Sequence, residues 1–303
     1  MARRALCLLL PGVAALQLGG GSYVALVTPM DMDNAVDYGA LRSLLEWHVE
    51  SGTNGVVALG TTGEASTLDG NERDRVLATC IEVCGGTIPV VAGTGCIDTR
   101  ACIALGRRAA DLGADGTLVV TPYYVKPPQR ALEAHFLAIA DEVDLPMVLY
   151  NVPGRTGVDL LPETVASIAR HPNVAGIKEA TGDNGRVAQL RDLCPSGFLL
   201  YSGEDAMGRE FVALGGDGVI SVTANVAPRA MARMLGDPAG PAARRLDDAL
   251  RPLHEDLFCQ ANPIPVKWAL HRARGIATGI RPPLAVLEAE FHADIDAALA
   301  AAA

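Results

Sequence analysis

The chain has 303 residues, half of them hydrophobic, 4% aromatic, with a formal charge of −10. That length supports one large core or two modest domains, and the acidic balance argues against nucleic acid or an anionic membrane surface as partner while leaving small anionic substrates open. Seven cysteines at irregular spacing make a secreted disulfide framework a poor fit and point to a reducing, cytoplasmic compartment.

The chain opens with MARRALCLLLPGVAAL, in which Arg3 and Arg4 precede a short apolar run. That resembles a signal peptide, but the run is too short to span a bilayer and Pro11-Gly12 interrupts it. With the first strand expected near Ser22, residues 1–18 read as a leader, disordered, or as a start codon set too early. Next, one pattern recurs: a short Val/Ile/Leu run, a polar or Gly-rich loop, then a segment with helical spacing. The runs are Tyr23–Thr28, Gly55–Leu59, Ile88–Gly93, Gly116–Pro122, Pro146–Pro153, Val174–Ala180, Phe198–Gly203 and Gly218–Asn225. Helical stretches such as YGALRSLLEWHVESG lie between them, some ending in Gly52 or Gly113 as C-caps do. Asp69 and Glu72 have capping-box spacing.

Eight strand–helix units imply a parallel sheet, and their length fits a (β/α)8 TIM barrel over residues 19–237. An open doubly wound sheet would want a Gly-rich fingerprint after the first strand, and VTPMDMDN has none. Pro238, Gly240 and Pro241 mark a boundary, and residues 238–303 read as helical only, a C-terminal helical domain.

Function in such a barrel sits at the C-terminal strand ends. Those ends carry Thr61, Thr62, Tyr123, Tyr124, Tyr150, Arg155, Lys178 and the Gly203-Glu204-Asp205 run. Lys178 closes an apolar strand. A partly desolvated amine is more often neutral, and a neutral amine can attack a carbonyl to form a Schiff base. The bland alternative is a lysine paired with Glu179. In GTTGE, Thr61 and Glu64 have cap spacing, but glycine on both sides also lets successive backbone N–H groups meet one carboxylate. Tyr150 is either a core aromatic or a proton donor and acceptor near an iminium. Arg155, in a loop with two glycines, is either solvated or a fork for a carboxylate. The six histidines have no ligand spacing, and Cys80 and Cys84 lack a second Cys/His pair, so no metal site is expected. No organic cofactor is expected either, because the lysine is itself the electron sink.

Taken together, GTTGE, TPYY, YNVPGRTG, GIKEATGD and NPIPVKWA resemble the dihydrodipicolinate synthase family, pyruvate-dependent class I aldolases that also include N-acetylneuraminate lyase. The resemblance runs from about Ser22 to at least Trp268, in order and with matching gaps. It implies a (β/α)8 barrel with a helical C-terminal domain that condenses pyruvate with L-aspartate 4-semialdehyde, on the lysine and diaminopimelate route. Under it, Lys178 matches the Schiff-base lysine and Tyr150 the proton-relaying tyrosine. Thr61 matches the threonine linking that tyrosine to Tyr124, which the family supplies from a neighbouring subunit, so a homodimer or a homotetramer built as a dimer of dimers is implied. Thr62, with Thr61, matches the pair holding the pyruvate carboxylate. Arg155 matches the arginine that takes the semialdehyde carboxylate, and Gly203 and Ile220 match pocket-lining positions. One departure stands out. Lysine-inhibited members use two histidines, an asparagine and a glutamate where this chain has Gly70, Arg73, Ile97 and Ala101, while Tyr123 is kept, so weak or absent feedback by lysine is expected. The competing expectations are a sister 2-keto acid aldolase of the N-acetylneuraminate lyase or keto-deoxy sugar acid type, and a non-catalytic binding protein exported behind a genuine signal peptide.

Overall fold

Strands buried on both faces need no polar alternation, so they read as unbroken Val, Ile, Leu and Ala runs. The computed structural model describes residues 17–302, and eight such runs become strands there. In chain order the elements are β1 (Gly21–Ala25), α1 (Tyr38–Glu50), β2 (Gly55–Ala58), α2 (Gly70–Cys84), β3 (Val90–Gly93), α3 (Thr99–Leu112), β4 (Gly116–Val120) and α4 (Gln129–Glu142). Then follow β5 (Met147–Asn151), α5 (Pro153–Thr156), α6 (Pro162–Ile168), β6 (Val174–Glu179), α7 (Arg186–Leu193), β7 (Leu199–Ser202), α8 (Asp205–Ala213), β8 (Gly218–Ser221) and α9 (Pro228–Gly236). Three further helices close the chain: α10 (Pro241–Asp256), α11 (Ile264–Arg274) and α12 (His292–Ala301). Every strand pairs in parallel with its sequence neighbours, and β1 pairs with β8, so the sheet closes into the expected barrel. The leader assigned to the N-terminus lies, through residue 16, outside the described residues.

Local chemistry explains the helix ends. Asp69 caps α2 by accepting from the Glu72 N–H at 2.9 Å, and Glu72 answers by accepting from the Asp69 N–H at 3.0 Å. Gly113, at φ +95°, ends α3 in the left-handed conformation. α10 packs on α8, α9 and α12, and α11 packs on α12.

Inside the barrel, Tyr23, Val57, Val91, Leu118, Val148, Tyr201 and Ile220 form one packed cluster. The two tyrosines meet edge to face at 5.2 Å, and the Tyr201 hydroxyl donates to Gly19 O at 2.6 Å. Leu18 joins them, 8% exposed, so the N-terminal mouth of the barrel is filled. A second apolar layer lies between strands and helices. Each fully buried Val, Leu or Ile in it is worth about 1.5–3 kcal/mol.

One expectation needs correction. The chain beyond Asp237 is not helical throughout: residues 275–288 form an irregular strap between α11 and α12. Gly275, at φ +70°, ends α11, and Pro282 and Pro283 cannot continue a helix.

Candidate active site

Successive side chains of a strand point to opposite faces. On β6 that alternation sends Ile177 and Glu179 toward the helices, and Lys178 and Ala180 into the barrel. The Glu179 carboxylate accepts from Asn151 Nδ2 at 3.2 Å and from the Thr181 N–H at 2.8 Å, with Arg186 Nη1 3.9 Å away. It is therefore occupied elsewhere, and no ion pair among the described residues includes Lys178.

Lys178 is 6% exposed. Loss of solvation brings its pKa down to about 8, against the pull of Asp205 and Glu204, which favour the charged form. Its Nζ sits 4.4 Å from the centre of the Tyr150 ring, and Lys178 and Tyr150 face each other in the β5–β6 register. Burial pushes the Tyr150 phenol up to about 12, opposed by the Arg155 guanidinium. Gly203 closes the other side. A Cβ there would stand 2.9 Å from Lys178 Cε and 2.6 Å from Ala180 Cβ, so only glycine leaves the lysine its place. Ile220, 2% exposed, belongs to the interior cluster beneath.

The loop after β2 is bracketed by two non-glycine residues at positive φ, Leu59 at +59° and Glu64 at +52°. Such backbone costs of order 1–3 kcal/mol per residue and gathers at functional sites. Thr62 is buried and Thr61 exposed. Among the described residues, no protein acceptor takes the backbone N–H of either threonine. Two free amides and two hydroxyls on one tight turn suit an anion. The cap reading of Glu64 fails: its N–H bonds Thr61 O at 3.1 Å, but its carboxylate turns away to a buried ion pair with Lys267 and accepts from the Arg281 N–H at 3.1 Å.

Arg155 lies in a single helical turn, α5, rather than in an irregular loop, because Pro153 starts the turn and Gly157, at φ +76°, stops it. Its side chain is exposed, and no ion pair among the described residues engages it. The structure thus brings Lys178, Tyr150, Gly203 and Ile220 together inside the barrel. Tyr124 it does not: that side chain is 85% exposed, with φ at +72°. Tyr123, Val125 and Ile97 are exposed as well, at 39%, 53% and 40%.

Two further groups border the lysine or its neighbours without a role having been read for them from sequence. Glu204 carries a carboxyl raised by burial and pulled down by Lys178. Asn262 Nδ2 donates to Thr62 Oγ1 at 2.9 Å. Asn262 and Lys267 both fall in the NPIPVKWA motif, so a signal existed, but not the identity of their partners.

A closed parallel barrel holding a desolvated lysine of lowered pKa at a strand end, beside a tyrosine, defines an enzyme of the class I, Schiff-base aldolase type. The comparisons narrow this. A model of the dihydrodipicolinate synthetase family matches residues 19–302. The 4-hydroxy-tetrahydrodipicolinate synthase of Methylococcus capsulatus is 54% identical over 274 residues, 89% of this chain and 94% of that protein. The enzyme of that name from Alcanivorax borkumensis is 55% identical over 267 residues, 87% of this chain and 91% of that protein. Among solved structures, the chloride-inhibited dihydrodipicolinate synthase of Acinetobacter baumannii, complexed with pyruvate, superposes with a TM-score of 0.92 at 49% identity, covering 94% of this chain and 99% of that one. The chain belongs to the dihydrodipicolinate synthetase family.

Proposed function

We infer that the chain condenses pyruvate with L-aspartate 4-semialdehyde to give 4-hydroxy-tetrahydrodipicolinate, the activity that names its relatives. The observation that carries the reading is Lys178: buried, in no ion pair among the described residues, and held at a pKa of about 8 by desolvation. About one amine in ten is then neutral at pH 7.

The neutral Nζ attacks C2 of pyruvate, and loss of water leaves an iminium. That cation withdraws electrons from C3, which gives up a proton and becomes an enamine. The enamine carbon attacks the aldehyde of the semialdehyde, forming the new C–C bond. The amine of the same substrate then adds to C2, closes the ring and expels Lys178 as a free amine. Tyr150, facing Lys178 across the register, carries protons to and from the bound pyruvate. Thr61 and Thr62 hold the pyruvate carboxylate with hydroxyls and backbone N–H groups. Arg155, exposed and unpaired at the mouth, takes the carboxylate of the semialdehyde. Gly203 and Ile220 shape the pocket.

Thr61 relays protons from Tyr150 to Tyr124 of a second copy, whose outward-facing Tyr124 suits a role in trans. A homodimer is the smallest active unit, and two dimers pair into a tetramer. Residues 19–237 form the catalytic unit, and 238–303 a second unit of helices joined by the irregular strap. The lysine itself does the work of an organic cofactor. Among the described residues no helix is long and apolar enough to cross a membrane, and six cysteines there are free thiols, in keeping with work in the cytoplasm.

The test is reduction by borohydride in the presence of pyruvate, followed by peptide mapping and steady-state assays. A mass increase of one reduced pyruvate on Lys178, with turnover of aspartate semialdehyde preferred over sugar acids, is the expected result. A faster rate on a sugar acid, or no adduct at all, overturns it.

A further inference from the structure

The segment before α11 returns to the substrate-carboxylate loop at a contact the mechanism above leaves unused. Asn262 is 6% exposed, and its Nδ2 reaches Thr62 Oγ1 at 2.9 Å across 200 residues of sequence. A hydroxyl that accepts along one direction must carry its own hydrogen in another. Thr62 is only 3% exposed, so bulk water is a poor rival for that hydrogen. Among the described residues no protein acceptor takes it. The neighbouring hydroxyl, Thr28 Oγ1, is spent on Gly63 O at 2.7 Å. Asn262 Oδ1 is buried with no partner among the described residues, so the side chain is held through Nδ2 while its segment is anchored nearby. Five residues further on, Lys267 makes its buried ion pair with Glu64, two residues past Thr62, and donates to Gly279 O at 2.6 Å. The same two segments are therefore tied twice, once by a charged pair and once by the amide–hydroxyl contact.

We propose that Asn262 is a positioning residue for the condensation: by donating to Thr62 Oγ1 it turns the Thr62 hydroxyl hydrogen toward the carboxylate of bound pyruvate. A free hydroxyl rotor has three staggered wells. Fixing it in one before substrate arrives removes an ordering cost from binding. The proposal rests on the reading that Thr62 holds that carboxylate.

Two substitutions separate positioning from mere support. Asn262→Ala leaves the hydroxyl free to rotate. Asn262→Asp keeps the shape but accepts where the amide donated, so the Thr62 hydrogen is drawn away from substrate. KM for pyruvate should rise roughly ten-fold in Asn262→Ala and further in Asn262→Asp. KM for the semialdehyde should stay put. The excess defect of Asn262→Asp should shrink as pH falls and the introduced acid gains a proton to donate. Borohydride trapping with pyruvate alone should slow in parallel. A purely structural asparagine predicts the reverse order, with the isosteric Asn262→Asp milder, no pH dependence of the difference, and both substrates affected alike; that pattern overturns the proposal. Should Asn262→Ala fail to fold, the pH dependence of Asn262→Asp decides. Thr62→Val keeps the two readings apart. If it leaves KM for pyruvate unchanged, the assignment of Thr62 to the carboxylate fails and the proposal with it. If it raises KM while both Asn262 variants behave as wild type, only the proposal falls.

Discussion

Lys178 and Glu179 are adjacent in sequence, and strand alternation puts the barrel wall between them. A lysine paired with its neighbour would be charged and inert, whereas one facing an aromatic ring with its solvation stripped is a nucleophile. The pH dependence follows in sign. A base whose pKa falls from 10.5 to about 8 gains its neutral form as pH climbs through 8, so kcat/KM for pyruvate should rise with pH and level off above that point. Stability should mirror it. Below about pH 8 both folded and unfolded chains carry the proton, and the folded state bears the full desolvation cost; between 8 and 10.5 the folded state sheds it first and stability climbs. Lys178→Met should abolish turnover yet stabilise the fold at pH 7, by about 3 kcal/mol at most and visible as a higher Tm, with the gain shrinking toward pH 10. A Lys178→Met variant that melts lower at pH 7 would contradict it. Lys178 was legible because charge appears abruptly at the end of an apolar run. Alternation could say that Glu179 faces away, but not that Asn151, Thr181 and Arg186 occupy it.

At the scale of elements, all eight strands formed where the apolar runs lay, because burial on both faces leaves a run without polar interruption. The strap and the clamp beneath it were not legible. Glu64 looked like a helix cap since its nearest notable partner in sequence was Thr61; the partner it chose, Lys267, is 203 residues away. Local spacing has no access to such a contact. The buried pair also makes a clean prediction. Burial lowers the Lys267 pKa and Glu64 opposes it, so removing one partner strands the other. Lys267→Met should cost about 3–5 kcal/mol in denaturant unfolding, and adding Glu64→Gln should return most of the loss. Additive losses in the double variant would mean that the two side chains do not depend on each other.

At the scale of the whole molecule, the outward Tyr124 is where the proposed relay between two copies is tested. Mixing Lys178→Ala with Tyr124→Phe, each nearly inactive, should restore activity when subunits exchange, because the hybrid pairs an intact lysine with an intact tyrosine. Mixtures no more active than their parts would place the relay within one chain. Weak lysine feedback is a second expectation at this scale. Arg73 donates to Ala65 O and Gly93 O, both at 2.9 Å, so a guanidinium is held at one of the positions that the family resemblance assigns to the effector. Like charge repels an ammonium, and no glutamate is there to receive it. Purified enzyme should keep its rate at sub-millimolar lysine, and half-inhibition in that range would refute the expectation. The departure itself was legible, residue by residue, but not the hydrogen bonds that hold Arg73 in place.

The clamp between the start of the barrel and the end of the chain also has a bearing on synthesis. Thr62 and Glu64 leave the ribosome some 200 residues before Asn262 and Lys267 do. A nascent barrel can close its strands and display Lys178, but the loop of Thr61 and Thr62 stays untethered until Asn262 and Lys267 have been made. Full affinity for pyruvate is therefore expected only late in synthesis, and a product truncated before Asn262 should bind pyruvate more weakly than the full chain, however well folded its sheet.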